Sequence, residues 1–240
     1  MSKKTPQNVD TSNFIPSFFL IAYLCLGFVP NWEAVDKIAP QWLLMSILNT
    51  VSLGYILYFR NQLSIRITHT LSSAMTYTYI GFIGWAGLSF FYAINSTEVL
   101  VNITRQVNVL IMFLVMGILI YNFKKKLTLV SYVIAVILSI EVYAVLNEAF
   151  LMINTNGFIS AGSLKGVTAN RNITAFSIAI KIPFVLFLIY KLSKPLFKIG
   201  LSGLVMLSII CLSMVQSRAS FLALGFTFLS FLGLCIALYL

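Results

Sequence analysis

Three arginines stand at or near the start of long apolar segments, and their side chains could bind an anion. Arg218 lies in "SMVQSRASFLALGF", Arg171 lies in "GVTANRNITAF", and Arg105 follows "NSTEVLVNIT". A guanidinium group presents five N–H donors in a planar fork that suits phosphate oxygens. If these segments are neighbouring helices, the free N–H groups at their N-termini add to an anion pocket. In the alternative interpretation, each arginine extends towards lipid headgroups.

Polar residues next to these arginines could shape the helix starts. Asn170 and Asn172 flank Arg171, and either side chain could cap the helix that follows, because Asn is among the preferred N-cap residues. Such a cap would fix the direction in which the first turn presents its N–H groups. The sequence alone does not decide between the two asparagines.

Two opposite charges lie deep inside apolar segments. Lys181, in "SIAIKIPFVLF", is about 13 Å from the start of its segment, and Glu141 is about 15 Å from the end of its own, at about 1.5 Å per residue. The matching depths predict a buried Lys181–Glu141 ion pair, because a lone charge in a bilayer is costly. Glu148 is expected nearer the surface, where it could meet Arg171 or Lys165. Pro183 should bend its helix.

Residues that often form catalytic or metal centres are scarce. The single histidine, His69, is next to Arg66 in a polar stretch and is predicted to be a loop residue. The cysteines lack metal-ligand spacing and are predicted to be small core residues; they are Cys25, Cys211 and Cys235. We find no P-loop, nucleophile elbow or carboxylate pair in the sequence, and we predict no metal and no cofactor.

The composition identifies the class of protein that must position these residues. The chain has 240 residues, of which 60% are hydrophobic and 9% charged, too few charges for the surface of a soluble domain. Several apolar segments reach the roughly 20 residues that span a bilayer. We predict an all-α polytopic membrane protein, with a polar cytoplasmic tail at 1–12 and a transmembrane domain at 13–240. Its eight spans are predicted at about 14–30, 38–59, 71–94, 99–121, 127–151, 172–190, 199–216 and 219–240.

The distribution of basic residues predicts the orientation. If the eight spans alternate, most lysines and arginines fall on one side, which is then cytoplasmic by the positive-inside rule. The net charge of +10 is explained in this way without nucleic acid. The N-terminus is predicted to be cytoplasmic, with the three candidate arginines on the outer side. The basic residues on the cytoplasmic side are Lys3, Lys4, Arg60, Arg66, Lys124, Lys125, Lys126, Lys191, Lys194 and Lys198.

Three segments together resemble the O-antigen ligase and polymerase family. "WAGLSFFYAINSTEVLVNITRQVNVLIMFLV" (85–115) is similar to a stretch of that family in which a Trp and a Ser precede an Asn/Asp-x-x-Glu turn and a new helix. "GVTANRNITAFSIAIKIPFVLFLIY" (166–190) is similar to its Gly-x-x-x-Asn-x-Asn segment, which opens a helix that reaches a proline. "SRASFLAL" (217–224) resembles its Ser-Arg-[Gly/Ala]-Ser helix start. The segments come in the family's order.

The resemblance implies a membrane glycosyltransferase of the C class in the bacterial inner membrane, independent of metal and nucleotide. Such enzymes take a glycan from an undecaprenyl-diphosphate carrier at the outer face. They pass it to lipid A core in ligases, or to a carrier-linked glycan repeat in polymerases. The partners implied are the carrier-linked glycan, the acceptor and membrane lipids. The residues that the resemblance assigns to the diphosphate are Arg218, Arg105, Arg171, Asn170 and Asn172.

One part of the family pattern has no counterpart in the sequence. The family's long external loop carries a catalytic His and another Arg, whereas the longest predicted outer segment, 152–171, contains no His. The chain is therefore expected to be the N-terminal part of such an enzyme, which binds the carrier but lacks the catalytic loop. A transporter or flippase of lipid-linked sugars, or a non-catalytic scaffold, remains an alternative. Ligase, polymerase and protein-glycosylating activities are not distinguished.

Overall fold

The described part of the chain is entirely helical apart from its turns. The computed structural model describes residues 14–30, 38–120, 124–159, 163–168 and 170–239, with side chains except at 124–126, 227 and 230–239. These residues contain nine α-helices and three short 3-10 helices, with no strand among them. They belong to two compact units, Met1–Lys126 and Leu127–Leu240. The predicted tail at 1–12 lies outside the described residues.

The first unit is organised around one long helix, α5, against which the other four helices pack. Leu20 of the first helix and Val115 and Leu119 of α5 are almost fully buried in its core. Short 3-10 helices occur at Leu26–Phe28 and Ser89–Phe91. The α-helices are α1 (Phe14–Leu24), α2 (Ala39–Tyr58), α3 (Arg60–Leu71), α4 (Ala74–Leu88) and α5 (Ser96–Ile120).

The polar stretch after α2 is a helix, not the loop predicted from its charges. The axes of α2 and α3 differ by 116° at the break between them. On α3, Leu63 and Ile67 are one turn apart and both contact the core of the unit. This apolar stripe explains why the segment folds as a helix despite its polar composition. Arg66 and His69 are therefore helical residues, and the loop prediction for both was wrong.

The second unit contains three helices joined by very short connections. These are α7 (Arg171–Lys191), α8 (Pro195–Val215) and α9 (Arg218–Tyr239), and α7 packs against both α8 and α9. Residues 192–194 and 216–217 are the only connections between them, and Gln216 adopts a left-handed φ of 53° at the end of α8. Such short connections make consecutive helices antiparallel. The N-termini of α7 and α9 therefore lie at the same end of the unit.

A longer helix, α6 (Lys124–Asn156), and a 3-10 helix at Gly166–Thr168 precede α7. Residues of α6 from Leu127 onward belong to the second unit. Leu138, Val145, Ile178 and Leu212 are almost fully buried and belong to one hydrophobic cluster. The core of this unit is thus built mainly from α6, α7 and α8, and α9 contributes Leu224.

Among the described residues, four helices are long and apolar enough to cross a bilayer: Ser96–Ile120, Leu127–Asn156, Arg171–Lys191 and Pro195–Val215. A fifth is added if the bent pair α2 and α3 is counted as one span. These apolar helices indicate a membrane protein, and the all-α class is confirmed for the described part of the chain. The count of eight spans stays a prediction, and α1, with 11 residues, is shorter than its predicted span.

Candidate functional site

The start of α7 is capped by Asn170. Its side-chain Oδ1 accepts hydrogen bonds from the backbone N–H groups of Asn172, at 3.0 Å, and Ile173, at 3.4 Å. Asn170 is therefore the N-cap, which decides between the two asparagines that the sequence left open. Arg171 and Asn172 occupy the exposed first turn of the helix. Their side chains are accessible at this end of the second unit.

Glu148 of α6 holds the segment that leads into α7. Its Oε2 accepts the backbone N–H groups of Lys165, at 2.9 Å, and Gly166, at 2.8 Å. The predicted contact of Glu148 with Lys165 thus exists, but through the main chain of Lys165. The hydroxyl groups of Thr168 and Thr174, 2.7 Å apart, add a second link between this segment and α7.

Gly166 suits this segment because any side chain at this position would clash with neighbouring residues. Its φ is +57°, and an added Cβ would lie 2.9 Å from Cγ2 of Thr174 and 3.1 Å from Cγ2 of Val145. Both values are shorter than ordinary van der Waals contacts. The backbone before Arg171 is therefore packed tightly against α6 and α7. The sequence predicts Glu148 near Arg171 or Lys165, but it does not identify Thr168 or Thr174 as residues that hold this segment.

Arg218 begins α9 in a similar way. The carbonyl of Ser217 accepts the backbone N–H groups of Ser220, at 3.1 Å, and Phe221, at 3.3 Å. The Ser220 hydroxyl also donates to Oγ of Ser217, and both serines are buried. Arg218 itself is exposed. The buried serines anchor the turn from which the arginine side chain extends.

The structure places Arg171 and Arg218 at one end of the second unit, because α7 and α9 both begin there. Each arginine is the first residue of its helix. Two guanidinium groups and two helix N-termini make this end electropositive. Both features favour the binding of an anion with several oxygens.

Lys181 and Glu141, the charges expected to pair, are in direct contact. Lys181 Nζ lies 2.9 Å from both Oε1 and Oε2 of Glu141. Lys181 also donates to the backbone carbonyl of Ser177, whose hydroxyl donates to Glu141 Oε1 at 2.8 Å. Both charged side chains are largely buried, with exposed fractions of 16% for Lys181 and 8% for Glu141. The pair joins α6 to α7, and Pro183 lies within α7 one half-turn later.

Arg105 belongs to the first unit, where it lies over an aromatic ring. Its guanidinium carbon is 5.6 Å from the ring centroid of Trp42 on α2, within the range of a cation–π contact. The two residues border a groove of about 570 Å³ between α2 and α5. Ser46 and Asn108 also line this groove.

A buried polar network lies behind the groove. Asn49, only 3% exposed, accepts a hydrogen bond from the Tyr23 hydroxyl at 2.8 Å and donates through Nδ2 to the side-chain and backbone oxygens of Asn108. Nδ2 of Asn108 donates in turn to Oγ of Ser46 at 2.9 Å. Ser52 is 2.8 Å from the Tyr23 hydroxyl. The network joins α1, α2 and α5, and sequence reasoning did not identify it.

The described residues contain no group of three or more His, Cys, Asp or Glu side chains that could hold a metal ion. Cys211 is buried in the core of the second unit, as predicted, and its thiol donates to the backbone carbonyl of Val142. Cys25 is exposed, so the core prediction was wrong for this residue, because it faces outward where α1 ends. The side chain of Cys235 lies outside the described residues.

Comparisons with known proteins do not identify a relative. No family model, no curated protein and no solved structure matches the chain. The resemblance to the O-antigen ligase and polymerase family therefore depends on the three sequence segments alone. What the chain does has to be argued from its residues and their geometry.

Proposed function

We propose that the chain takes part in glycan transfer from an undecaprenyl-diphosphate carrier to an acceptor sugar, and that it binds the carrier diphosphate. The observation that carries the proposal is the placement of Arg171 and Arg218 as first residues of two helices at one end of the second unit. A diphosphate has oxygens enough for two guanidinium groups and for helix N–H donors. The resemblance of 166–190 and 217–224 to the O-antigen ligase family points to the same residues.

The geometry suggests different tasks for the two asparagines in this site. Asn170 uses its side-chain oxygen to cap α7, so its task is to hold the first turn in place. The exposed Asn172 is one residue after Arg171 and is accessible to the ligand. We therefore assign Asn172 to direct contact with the carrier and Asn170 to positioning Arg171.

The proposed role follows from the chemistry of the reaction. The acceptor hydroxyl oxygen bonds to the anomeric carbon, and the bond from that carbon to the diphosphate oxygen breaks. Negative charge develops on the departing diphosphate, where fixed cationic donors in a poorly solvated site stabilise the transition state. Arg171 and Arg218 supply such donors. The hydroxyl proton passes to a general base, a role that we assign to none of the described residues.

The proposal includes a position in the cell. With eight alternating spans and a cytoplasmic N-terminus, the starts of α7 and α9 face the outer side of the bacterial inner membrane. The carrier headgroup is expected on that side. Arg105 is the third arginine assigned to the carrier by the family resemblance, but the two arginines of the second unit are sufficient for the proposed diphosphate site.

A transporter or flippase of lipid-linked sugars is the second candidate function. The observation that favours it is the Lys181–Glu141 pair, since ionisable residues within membrane spans often belong to substrate or proton pathways. Pro183, in the same helix, would suit a helix that bends during transport. If the protein is a transporter, Arg218→Ala should leave glycan transfer unchanged when substrate is supplied at the outer face. If it is a glycosyltransferase, the same variant should reduce that transfer.

The test is replacement of Arg218 by alanine in the whole protein, followed by electrophoresis of the glycans that the cells display. We expect loss of the polymer ladder, with the protein still present in the membrane. Lys194→Ala is the matched control, because Lys194 is exposed and precedes α8, at the opposite end of the unit. A normal ladder in the Arg218→Ala strain would contradict the proposed diphosphate site.

A further inference from the structure

The helix α3 lies across the end of α2 instead of continuing it. The 20 residues of α2 extend about 30 Å at about 1.5 Å per residue, which matches the hydrocarbon thickness of a bilayer. The axes of the two helices differ by 116°, which is about 26° more than a right angle. With α2 along the membrane normal, α3 therefore lies close to the membrane plane, at the surface that α2 reaches.

The inclination of α3 agrees with the length of the helix that follows it. The 12 residues of α3 extend about 18 Å, so an inclination of about 26° brings its end about 8 Å back towards the bilayer centre. The 15 residues of α4 extend about 22 Å, which is less than the roughly 30 Å of hydrocarbon. The raised start of α4 compensates for this shorter length. The three helices thus fit a bilayer with α3 as a connecting helix at its surface.

The aromatic residues at the α2–α3 break are of a type that is common at membrane surfaces. Tyr58, the last residue of α2, is 82% exposed. Its ring packs edge-on against that of Phe59, with 4.8 Å between the ring centroids. Tyrosine is enriched where membrane spans meet the lipid headgroups, because its ring is apolar and its hydroxyl is polar. The break between the two helices therefore suits the headgroup layer.

Two arginines flank the apolar stripe of α3. Leu63 and Ile67 face the core of the first unit, and at about 3.6 residues per turn Arg60 and Arg66 fall on either side of them. On a helix that lies in the membrane surface, side chains beside the apolar stripe are at the level of the lipid phosphates. Arg60 is exposed and Arg66 is half-buried. Neither arginine forms an ion pair within the part of the chain that the structure describes.

We propose that α3 lies in the headgroup layer of the membrane and binds anionic lipids through Arg60 and Arg66. The sequence contains no Asp or Glu between Asp36 and Glu98, so the two cations have no acidic neighbour along the chain. Their charge favours an anionic headgroup, and the surface position of α3 favours a membrane lipid over a soluble anion. The inference goes beyond the proposed function, because neither arginine belongs to the proposed diphosphate site.

A single indole at the α2–α3 break provides a direct test. The tryptophans of the chain are replaced with phenylalanine, and Tyr58→Trp is added, which gives a reporter protein with one indole near Arg60; the replaced residues are Trp32, Trp42 and Trp85. The reporter protein is placed in phosphatidylcholine vesicles that contain a small fraction of brominated phosphatidylglycerol or brominated phosphatidylcholine. Bromine quenches a nearby indole. We expect phosphatidylglycerol to be preferred by about fivefold for each arginine, the typical contribution of one basic residue near a membrane. Bromine near the glycerol end of the acyl chain should quench more than bromine near the methyl end.

Neutral and charge-conserving variants of the reporter protein separate the proposed contacts from general effects. Arg60→Gln and Arg66→Gln should each lower the lipid preference by about fivefold, and the double variant should reduce it to about one. Arg60→Lys and Arg66→Lys are the matched controls, because they keep the positive charge, and they should retain most of the preference. Raising the salt concentration to about 1 M should weaken the preference, because the Debye length then falls to about 3 Å.

Two results would overturn the inference. One is equal quenching by brominated phosphatidylglycerol and brominated phosphatidylcholine in the reporter protein that retains both arginines, a measurement that needs no change in α3. The other is stronger quenching by bromine near the methyl end of the acyl chain than by bromine near its glycerol end, since the α2–α3 break would then lie inside the bilayer. Loss of glycan transfer in Arg218→Ala is independent of both results.

Discussion

Lys181 Nζ lies 2.9 Å from each carboxylate oxygen of Glu141, and this contact joins α6 to α7 where both charged side chains are largely buried. Ser177 completes the arrangement by donating to Glu141 and accepting from Lys181. The charges are thus neutralised and hydrogen-bonded together, which is the condition under which ionised groups are tolerated in a low-dielectric interior. The pair is expected to fix the alignment of the two helices.

Replacing Glu141 with glutamine should destabilise the second unit strongly. The ammonium group of Lys181 would remain buried without its counter-charge, and breaking a buried pair in this way typically costs about 3–5 kcal/mol. The measurement is thermal unfolding of the protein in nanodiscs. Glu98→Gln, at the exposed start of α5, is the control and should change little.

The double variant Glu141→Gln with Lys181→Met tests whether pairing is the cause. Removing both charges should recover part of the stability that Glu141→Gln loses, because no uncompensated charge remains. If the double variant is less stable than Glu141→Gln by the full cost of Lys181→Met alone, the two residues are energetically independent.

The pair was predictable, whereas its surroundings were not. Depth along two apolar segments was enough to match Lys181 with Glu141, because a lone charge in a membrane span has few acceptable environments. The contact of Glu148 with the main chain of Lys165 and Gly166 depends on how 163–168 folds back onto α6. No periodicity or charge pattern in the sequence predicts that 163–168 folds back onto α6.

The helices likewise divide into those that hydropathy predicts and those that depend on tertiary contacts. The long apolar helices α5 to α8 were placed to within a few residues from hydropathy, although α6 continues to Asn156, beyond its predicted end. The helix α3 was not predicted, because its many polar residues obscure the apolar stripe formed by Leu63 and Ile67. The Tyr23–Asn49–Asn108 network joins three helices that are far apart in the sequence, so its members looked like isolated polar residues within apolar segments.

Replacing Gly166 with alanine should destabilise the segment before α7. The added methyl group would clash with Thr174 and Val145, and a left-handed φ is itself unfavourable by about 1–2 kcal/mol for a residue with a side chain. Gly157→Ala separates the two effects, because Gly157 has a φ of +74° with no atom within 4 Å of an added Cβ. Thermal unfolding should show a larger loss for Gly166→Ala than for Gly157→Ala. Equal losses would mean that the packing around Gly166 is unimportant.

The two asparagines at the start of α7 should respond differently to alanine. Asn170→Ala removes the N-cap and should cost about 0.5–2 kcal/mol in stability. Asn172→Ala leaves the cap in place, so it should leave unfolding nearly unchanged while it lowers glycan transfer, provided that Asn172 contacts the carrier. The measurements are thermal unfolding and transfer on the same preparations. A loss of stability in Asn172→Ala equal to that in Asn170→Ala would contradict the division of roles.

Removing Arg171 and Arg218 together tests whether they bind the same diphosphate. Each guanidinium should strengthen the contact of the other with a shared ligand, so the free-energy effects of the single variants on transfer should not add. We expect the Arg171→Ala/Arg218→Ala protein to transfer glycan more slowly than wild type but faster than the product of the two single effects predicts. Pairing Arg218→Ala with Lys194→Ala provides the additive reference, since Lys194 precedes α8 at the other end of the unit. Additivity in both pairs would place the two arginines in separate sites, because residues without a common ligand contribute independently to the rate.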